Sequence, residues 1–490
     1  MASLEEIRQS RLQKLAVLRA AGIDPYPARV PRDASHAEII ASFDDFAKRP
    51  SIAIAGRVMA IRGQGGLAFI DVSDGTAKLQ ILLKEGDIAT EKKDLFLATV
   101  DIGDFISCTG TLFVSKRGEK TLLASDWLMA TKSLRPLPEK WHGITDPEDR
   151  YRQRYLDLAM RPELRELFQQ KAAFWRTTRR FLEDRGFLEV ETPYLEVTTG
   201  GAEARPFATH HNDFDIDLYL RISVGELWQK RLMAGGFPKT FEIGRVFRNE
   251  GTSPEHLQEF TNVEFYSAYT DYEEGMKLVQ EMYLHIAREV FGTTVFEVNG
   301  HTFDLSHDWK RIDYSTEILE RTGVAIHTAT EAQMKDALKK LSVDYTGSTK
   351  ERLIDSLWKY CRKQIAGPAF LVGHPMVVAP LAKLDQKNKD AVQMFQPIFA
   401  GSEVGRGYSE LNDPIDQAQR FEVQKKLIES GDEEAMMPDY EFVEMLEHGM
   451  PPTFGYGFGE RMFSLLSAKP IRETQLFPLL KPKGKEKGKE

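Results

Sequence analysis

Five short segments in which polar and apolar side chains alternate follow one another within residues 52–129. Turns that contain glycine or charged residues separate them, and their sequences are IAIAGRVMAI, LAFIDVS, AKLQILL, DFISCTGTLFV and KTLLASDWLM. Strict alternation predicts β-strands that bury one face. Five such strands in so short a stretch are typical of a small closed barrel.

Alternation also sorts the side chains of this barrel into a core face and an outer face. The apolar residues that share the core face are Ala68, Ile70 and Val72 on one segment and Ala77, Leu79 and Ile81 on the next. Phe69 and Gln80 therefore point outward. In a barrel of the OB type, an outward aromatic ring stacks on an unpaired base and an outward amide hydrogen-bonds its edge. The alternative is that Phe69 only packs beneath a loop.

The rest of the chain divides around this barrel. Residues 4–21 have helical periodicity, with Gly22 as the C-terminal stop, and Arg8, Arg11 and Lys14 form a face that we expect to be solvated or, less readily, to touch a nucleic acid. Prolines 136, 138 and 147 indicate a linker. The predicted parts are a helical extension at 1–50, the barrel at 51–134, a linker at 135–150, a larger domain at 151–480 with a helical insertion at about 327–364, and a basic disordered tail at 481–490.

Composition excludes several classes of protein. Hydrophobic residues make up 42% and charged residues 28%, as in globular proteins and unlike disordered chains. The net charge of −9 argues against a protein that coats nucleic acid nonspecifically. Cys108 and Cys361 are too few for a zinc cage and favour a reducing compartment. Because there is no signal-peptide pattern and no run of about 18 apolar residues, we expect a cytoplasmic protein with no membrane partner.

The strongest chemical signal is a predicted antiparallel hairpin, KTFEIGRVFRNEG ending at Gly251 and EFTNVEFYSAY beginning at Glu259. The residues that share a face are Glu242, Val246 and Arg248 on the first strand and Phe260, Asn262, Glu264 and Tyr266 on the second. If the two faces coincide, the surface is too polar for a core. It fits a cleft that binds a phosphate through the arginine, a base through the ring and a cation through the carboxylates. A surface ladder of ion pairs is the alternative.

A second signal is FGYGFGERMFSLL, in which glycines alternate with aromatic residues before a helical pattern. Gly455, Gly457 and Gly459 allow another group to approach the backbone closely. Arg461 lies in the first helical turn, where a cation opposes the helix dipole. An arginine in this unfavourable place suggests an anionic ligand.

Together these motifs resemble a known family. GFLEVETP at 186–193, FRNEG followed by His256 and Phe260, and GFGER at 457–461 resemble, in order, the three signature motifs of class II aminoacyl-tRNA synthetases. The barrel points to the subgroup that charges Asp, Asn or Lys. Over about residues 50–480, RYRQRYLDL, GGAEARPF, THHN, SELNDP and DQAQRF are similar to bacterial lysyl-tRNA synthetases. The resemblance implies an α+β chain, in which an OB-fold anticodon-binding domain precedes a catalytic domain with an antiparallel sheet flanked by helices.

The resemblance also implies roles for individual residues. For Mg²⁺-dependent ATP use, the catalytic pair would be Arg248 and Arg461, and the ATP site would comprise Arg248, Glu250, His256, Phe260, Glu403 and Arg461, with Phe260 and Arg461 enclosing adenine. Lysine would be held by Gly201, Glu226, Arg248, Glu264, Tyr266, Arg406, Tyr408 and Glu410. The metal ligands would be Glu403 and Glu410, and the readers of the central anticodon uridine Phe69, Gln80 and Glu119.

Three residues depart from the family pattern. Arg406 stands where the family usually has Asn, Gln396 replaces a metal-facing carboxylate, and Glu255 replaces an arginine. Arg406 either repels a lysine ammonium or pairs with Glu410, and Gln396 puts the number of Mg²⁺ ions in doubt. The acidic residues Glu226, Glu264 and Glu410 remain, and such a set has no evident use in binding a neutral or acidic amino acid.

The sequence therefore predicts a homodimer, formed partly around Pro193, that activates L-lysine with ATP and transfers it to the 3′ end of tRNA(Lys). One alternative is a paralogue that lysylates a protein or makes a dinucleotide, for which the barrel would have no purpose. Another is a noncatalytic tRNA-binding protein, which would not require Arg248, Glu250 and Arg461.

Overall fold

The computed structural model describes residues 3–64, 66–138, 144–202, 204–251, 253, 256–345, 349–376, 379–430 and 435–483. The chain forms two compact units, Met1–Arg165 and Glu166–Glu490. Residues 139–143, in the middle of the predicted linker, and residues 484–490, in the predicted tail, lie outside the described residues. None of the described helices is long and apolar enough to cross a membrane.

The first unit contains a closed five-stranded barrel. In chain order its elements are α1 (Leu4–Ala20), α2 (His36–Ala41), α3 (Phe43–Ala47), β1 (Ile52–Gln64), β2 (Leu67–Ser73), β3 (Lys78–Lys84), α4 (Thr90–Thr99), β4 (Phe105–Val114), β5 (Lys120–Thr131), α5 (Pro147–Arg152) and α6 (Arg154–Met160). The strands follow the order β1-β2-β3-β5-β4, and all pairs are antiparallel except β3 with β5. The five predicted strands are confirmed, whereas the sequence analysis missed α4.

The barrel core has the predicted alternation. Along β2 the side chains of Ala68, Ile70 and Val72 are buried and those between them are half-buried. Leu79 and Ile81 on β3 join the same core. Phe69 and Gln80 lie outside it and remain half-buried, so the prediction that both point away from the core is confirmed.

The polar face of α1 differs from the prediction. Arg11 is only 7% exposed, and its guanidinium donates to the Ser133 hydroxyl at 2.6 Å and to the Ile102 carbonyl at 2.9 Å. Lys14 Nζ lies 2.6 Å from the Asp101 carboxylate. A solvated face is therefore wrong for both residues, because their long side chains reach across to the barrel and satisfy its polar groups. Arg8 pairs at 3.6 Å with Glu5 on its own helix.

The second unit is built on one large sheet, and it begins within α7 (Pro162–Glu183). Its other helices are α8 (Glu226–Ala234), α9 (Tyr272–Ile286, continued by a π-helical turn to Phe291), α10 (Tyr314–Thr322), α11 (Glu331–Lys340), α12 (Lys350–Arg362), α13 (Pro414–Glu429), α14 (Tyr440–Glu447) and α15 (Arg461–Leu466). Its strands are β6 (Leu188–Glu189), β7 (Leu195–Glu196), β8 (Ala208–His211), β9 (Ile216–Leu220), β10 (Lys239–Phe247), β11 (Glu259–Ala268), β12 (Val295–Val298), β13 (His301–Asp304), β14 (Lys310–Asp313), β15 (Ala369–Val372), β16 (Met394–Phe399), β17 (Ser402–Glu403), β18 (Arg406–Ser409) and β19 (Thr453–Gly459).

The large sheet has the order β14-β15-β16-β18-β19-β11-β10-β6, with β17 paired to β16. Its pairs are antiparallel except β14 with β15 and β10 with β6. This is the predicted antiparallel sheet with helices. The segment predicted as a helical insertion contains α11 and α12, which pack with α10 on residues of β15 and β16, including Ala369, Leu371 and Ile398.

The pairing of β10 with β11 fixes which side chains meet. Glu242 lies opposite Glu264, and Val246 lies opposite Phe260. Directly opposite residues of an antiparallel pair point to the same face, so the prediction that the two polar faces coincide is confirmed. On the other side of β11 the partner strand is β19, where Gly457 lies opposite Glu264.

We predict that Arg11→Ala loosens α1 without unfolding the second unit. Removing a buried guanidinium that holds several acceptors costs about 2 kcal/mol, which corresponds to about 30-fold faster amide hydrogen exchange in α1. Mass-spectrometric hydrogen exchange on the full chain measures this. Arg8→Ala is the matched control and should leave the exchange rate of α1 within about threefold, because exposed ion pairs contribute little. Equal protection of α1 in both variants would contradict the assignment.

Candidate active site

A cavity of about 360 Å³ opens on the face shared by β10, β11, β18 and β19. The residues to which the family resemblance gave catalytic, ATP-binding or lysine-binding roles all line it: Gly201, Glu226, Arg248, Glu250, His256, Phe260, Glu264, Tyr266, Glu403, Arg406, Tyr408, Glu410 and Arg461. Gln396 lines it as well. Glu255 lies outside the described residues. A set of residues spread over 260 positions of sequence thus meets in one cavity.

The glycines of β19 make room for this cavity. A Cβ atom at Gly455 would collide with Glu410 Oε1 and with the Tyr266 ring, and one at Gly457 would collide with the side chain of Glu264. Side chains from the neighbouring strands therefore fold over bare backbone. The alternation of glycine and aromatic residues in the sequence predicted this close approach.

One end of the cavity is acidic and buried. Glu264 Oε1 accepts from the backbone N–H of Val224 at 2.8 Å, and its Oε2 accepts from the Tyr266 hydroxyl at 3.0 Å. Asn262 Nδ2 donates to Glu264 Oε1 at 3.2 Å. Burial raises the pKa of Glu264, and the nearby Glu226 carboxylate raises it further. Its donors hold this carboxylate in one orientation.

Lys230 of α8 is a site residue that the sequence analysis missed. Its Nζ lies 2.7 Å from Glu226 Oε1 and 2.5 Å from Glu410 Oε2, and the side chain is almost fully buried. Burial opposes the charge of Lys230, but the two carboxylates outweigh it and raise the pKa of the ammonium. The signal in the sequence was its position four residues after Glu226, which places both on one helix face.

Glu410 keeps an unused acceptor beside this lysine. Burial raises the pKa of Glu410, while the Lys230 ammonium lowers it. Glu410 Oε1 has no hydrogen-bond partner among the described residues. The Tyr408 hydroxyl donates to Glu226 rather than to Glu410. A buried acceptor oxygen with nothing to accept from is a place for a ligand's donor.

The other end of the cavity is basic. The Arg248 guanidinium lies 5.3 Å from the centre of the Phe260 ring, and its Nε donates to the Ile222 carbonyl at 3.3 Å. Burial lowers the pKa of Arg248, and Arg461 and Arg406 lower it further. Arg461 begins α15, which has only six residues, so the helix dipole argued from the sequence contributes little here.

Arg406 and His256 lie at the exposed edge of the cavity. Arg406 is opposite Gly457 on β19, and its side chain forms no ion pair or hydrogen bond with any residue that the structure describes. The partner of Glu410 is Lys230, so the pairing of Arg406 with Glu410 that the sequence left open is not observed. His256 Nδ1 is 2.7 Å from the Ser253 hydroxyl.

Glu242 shares the face of Glu264 but does not line the cavity. It is buried and accepts from Arg221 at 2.6 Å and from the Thr192 hydroxyl at 2.6 Å. Periodicity in the sequence predicted this carboxylate in the cleft, and the prediction is wrong because Glu242 pairs with the fully buried Arg221. Through Arg221 and Thr192, Glu242 joins β10 to the segments that follow β9 and β6.

The residues suited to a divalent cation are few. In the described part of the chain no group of three or more His, Cys, Asp or Glu side chains is arranged to hold a metal ion. Glu403 Oε1 accepts from Trp358 Nε1 at 2.5 Å. Gln396 Oε1 is 2.8 Å from His374 Nε2, and Glu410 pairs with Lys230. Glu403 is the carboxylate that could hold a Mg²⁺ ion, whose other ligands would come from phosphates and water.

The barrel carries a second candidate site. Phe69 and Gln80 share its outer face, since Asp71 on β2 is opposite Gln80 on β3. The Thr121 hydroxyl is 3.1 Å from Gln80 Oε1 and 3.0 Å from the Glu119 carbonyl. Glu119 is exposed in the turn before β5. The three predicted anticodon residues therefore lie around one side of the barrel, where Thr121 fixes the amide of Gln80.

Two family models match the chain. Residues 146–481 match the family model described as tRNA synthetases class II (D, K and N). Residues 52–129 match the model described as OB-fold nucleic acid binding domain. The two matches cover the sheet with its cavity and the barrel, respectively.

Several curated relatives match the chain from end to end. Proteins named "Lysine--tRNA ligase" from Roseiflexus sp. (strain RS-1), Thermotoga maritima and Carboxydothermus hydrogenoformans are 45%, 42% and 41% identical to it. Each alignment covers 98% of this chain, and 99%, 97% and 99% of the respective relative. This similarity extends through the barrel and the cavity alike.

Proposed function

Since the chain belongs to the class II tRNA synthetases, in the family of the lysine--tRNA ligases, we propose that it activates L-lysine with ATP and transfers it to the 3′ end of tRNA(Lys). The family gives the reaction. The choice of lysine rests on the acidic end of the cavity, and the site residues are proposals argued from its contacts.

The observation that favours lysine as the substrate is a cluster of buried carboxylates in which Glu410 Oε1 has no hydrogen-bond donor among the described residues. Glu226, Glu264 and Glu410 bring three carboxylates to this end, and Lys230 supplies one ammonium. Burial raises the pKa of Glu264 to about 7 and that of Glu410 to about 8. The ammonium groups of a ligand would stabilise the ionised forms of these carboxylates, and lysine carries two such groups. Glu410 Oε1 accepts the ε-ammonium, while Glu226 and Gly201 take the α-ammonium. A neutral or acidic side chain would leave buried carboxylates unpaired, which is costly.

ATP occupies the basic end in this proposal. Phe260 and Arg461 enclose the adenine, and His256 and Glu250 lie near the phosphates. Bound Mg²⁺ would neutralise phosphate charge between Glu403 and the nucleotide. A lysine carboxylate oxygen attacks the α-phosphorus in line, a new P–O bond forms, and pyrophosphate leaves with the electron pair. Arg248 stabilises the charge that develops on the α-phosphoryl oxygens. The terminal ribose 3′-hydroxyl of the tRNA then attacks the lysyl carbonyl and releases AMP.

Two further parts of the proposal concern assembly and cellular compartment. The exposed apolar side chains after Pro193, namely Tyr194, Leu195 and Val197, support a homodimer because a second copy would cover them. Both cysteines are free and buried, which supports a reducing compartment such as the cytoplasm.

We predict that pyrophosphate exchange, measured with each of the twenty amino acids, responds to lysine. Glu410→Gln should lower kcat/KM for lysine by about 100-fold, because the ε-ammonium loses a charged and buried partner, while the KM for ATP stays the same. The exposed Glu429→Gln is the control. A response to Asp or Asn without one to Lys contradicts the lysine assignment, and absence of adenylate in single turnover would indicate a noncatalytic protein.

We predict that Phe69→Ala weakens tRNA charging about tenfold or more and leaves pyrophosphate exchange unchanged. Loss of one stacking contact to a base costs about 1 to 3 kcal/mol. Phe105→Ala is the matched control, since Phe105 is also half-buried in the barrel but stacks on Arg57, 4.2 Å away. If both activities of Phe69→Ala fall equally, Phe69 does not read an anticodon. Thermal unfolding of both variants reports any loss of folding.

A further inference from the structure

One indole, that of Trp358, connects the helices α10–α12 to the wall of the cavity. Trp358 of α12 is 3% exposed and belongs to the apolar cluster that these helices form. Its ring nitrogen donates to Glu403 Oε1 at 2.5 Å, at the wall of the cavity. The hydrogen bond is charge-assisted and uses the single donor of the indole.

The same helices support a second cavity residue through a chain of rings. The Trp358 and Tyr314 ring centres are 5.0 Å apart, and those of Tyr314 and His374 are 5.4 Å apart. His374 Nε2 lies 2.8 Å from Gln396 Oε1. Burial lowers the pKa of His374 to about 4, so the ring is neutral at pH 7. Trp358 thus contacts Glu403 directly and is linked to Gln396 only through Tyr314 and His374.

We propose that Trp358 is a positioning residue for nucleotide binding. Its N–H holds one oxygen of Glu403 and thereby turns the other toward the cavity, where the cation of a metal–nucleotide complex binds. A free glutamate side chain has several rotamers, and fixing it in advance lowers the entropy lost on binding. The packing of α10–α12 then determines where the phosphates sit. This inference depends on the proposed function only for the identity of the nucleotide.

Two substitutions separate positioning from packing. Trp358→Phe keeps a buried aromatic ring and removes the donor to Glu403. Trp309→Phe makes the same chemical change elsewhere in the unit, because Trp309 is also buried but donates to the backbone carbonyl of Leu305 at 3.3 Å. Trp309 does not line the cavity. An effect of indole loss on packing alone should appear in both variants.

The test is calorimetric binding of a β,γ-methylene ATP analogue to the full chain, with Mg²⁺ and with EDTA. We expect Trp358→Phe to weaken binding of the analogue about tenfold when Mg²⁺ is present, because the variant loses a group that orients a metal ligand. Binding of the analogue in EDTA should change little. Trp309→Phe should bind like the unsubstituted chain. Glu403→Gln should weaken binding at least as much, and the double variant Trp358→Phe/Glu403→Gln should be no weaker than Glu403→Gln alone.

Equal binding by Trp358→Phe and Trp309→Phe would overturn the proposal, and so would additive effects in the double variant. If Trp358→Phe does not fold, fluorescence of the unsubstituted chain decides. The Mg²⁺ complex of the analogue must then change tryptophan emission, and Glu403→Gln must abolish that change; an unaltered signal in Glu403→Gln would overturn the proposal. Neither measurement uses lysine or tRNA, so its outcome is independent of the lysine assignment.

Discussion

The pairing of β11 with the glycine strand β19 is the constraint on which the cavity depends. Gly457 and Gly455 lie opposite Glu264 and Tyr266, so polar side chains occupy the space that Cβ atoms would fill. A slip of one residue in this register would turn Glu264 to the other face of the sheet. The cavity at the centre of the sheet therefore depends on the strand register and on the absence of side chains at Gly455 and Gly457.

Charge balance is the second condition, because three carboxylates do not stay buried together without compensation. Glu264 is stabilised by neutral donors, among them the Val224 N–H and the Tyr266 hydroxyl. Glu226 and Glu410 share the ammonium of Lys230. This arrangement leaves Glu410 Oε1 without a hydrogen-bond donor in the described part of the chain. The cavity thus lacks a donor at this oxygen, which a ligand with a side-chain ammonium supplies.

Periodicity in the sequence predicted the parts of the structure that depend on neighbours along one strand. It assigned Phe69 to the outer face of the barrel and brought Arg248 and Glu264 to one face of the hairpin. It did not predict Lys230 or Trp358, which reach the site from helices. Their partners are chosen by tertiary packing, which leaves no local pattern. The long side chains of Arg11 and Arg221 were misjudged or overlooked for the same reason, since burial of an arginine depends on acceptors far away in sequence.

The central claim is that buried carboxylates recognise the ε-ammonium of lysine, and calorimetric titration of the chain with L-lysine and L-norleucine tests it most directly. The two ligands share the aliphatic side chain up to the terminal carbon, and only lysine carries the ammonium. The account predicts that lysine binds at least about 100-fold more tightly, because norleucine offers no donor to the buried Oε1 atom of Glu410. Equal affinity for the two ligands would contradict it.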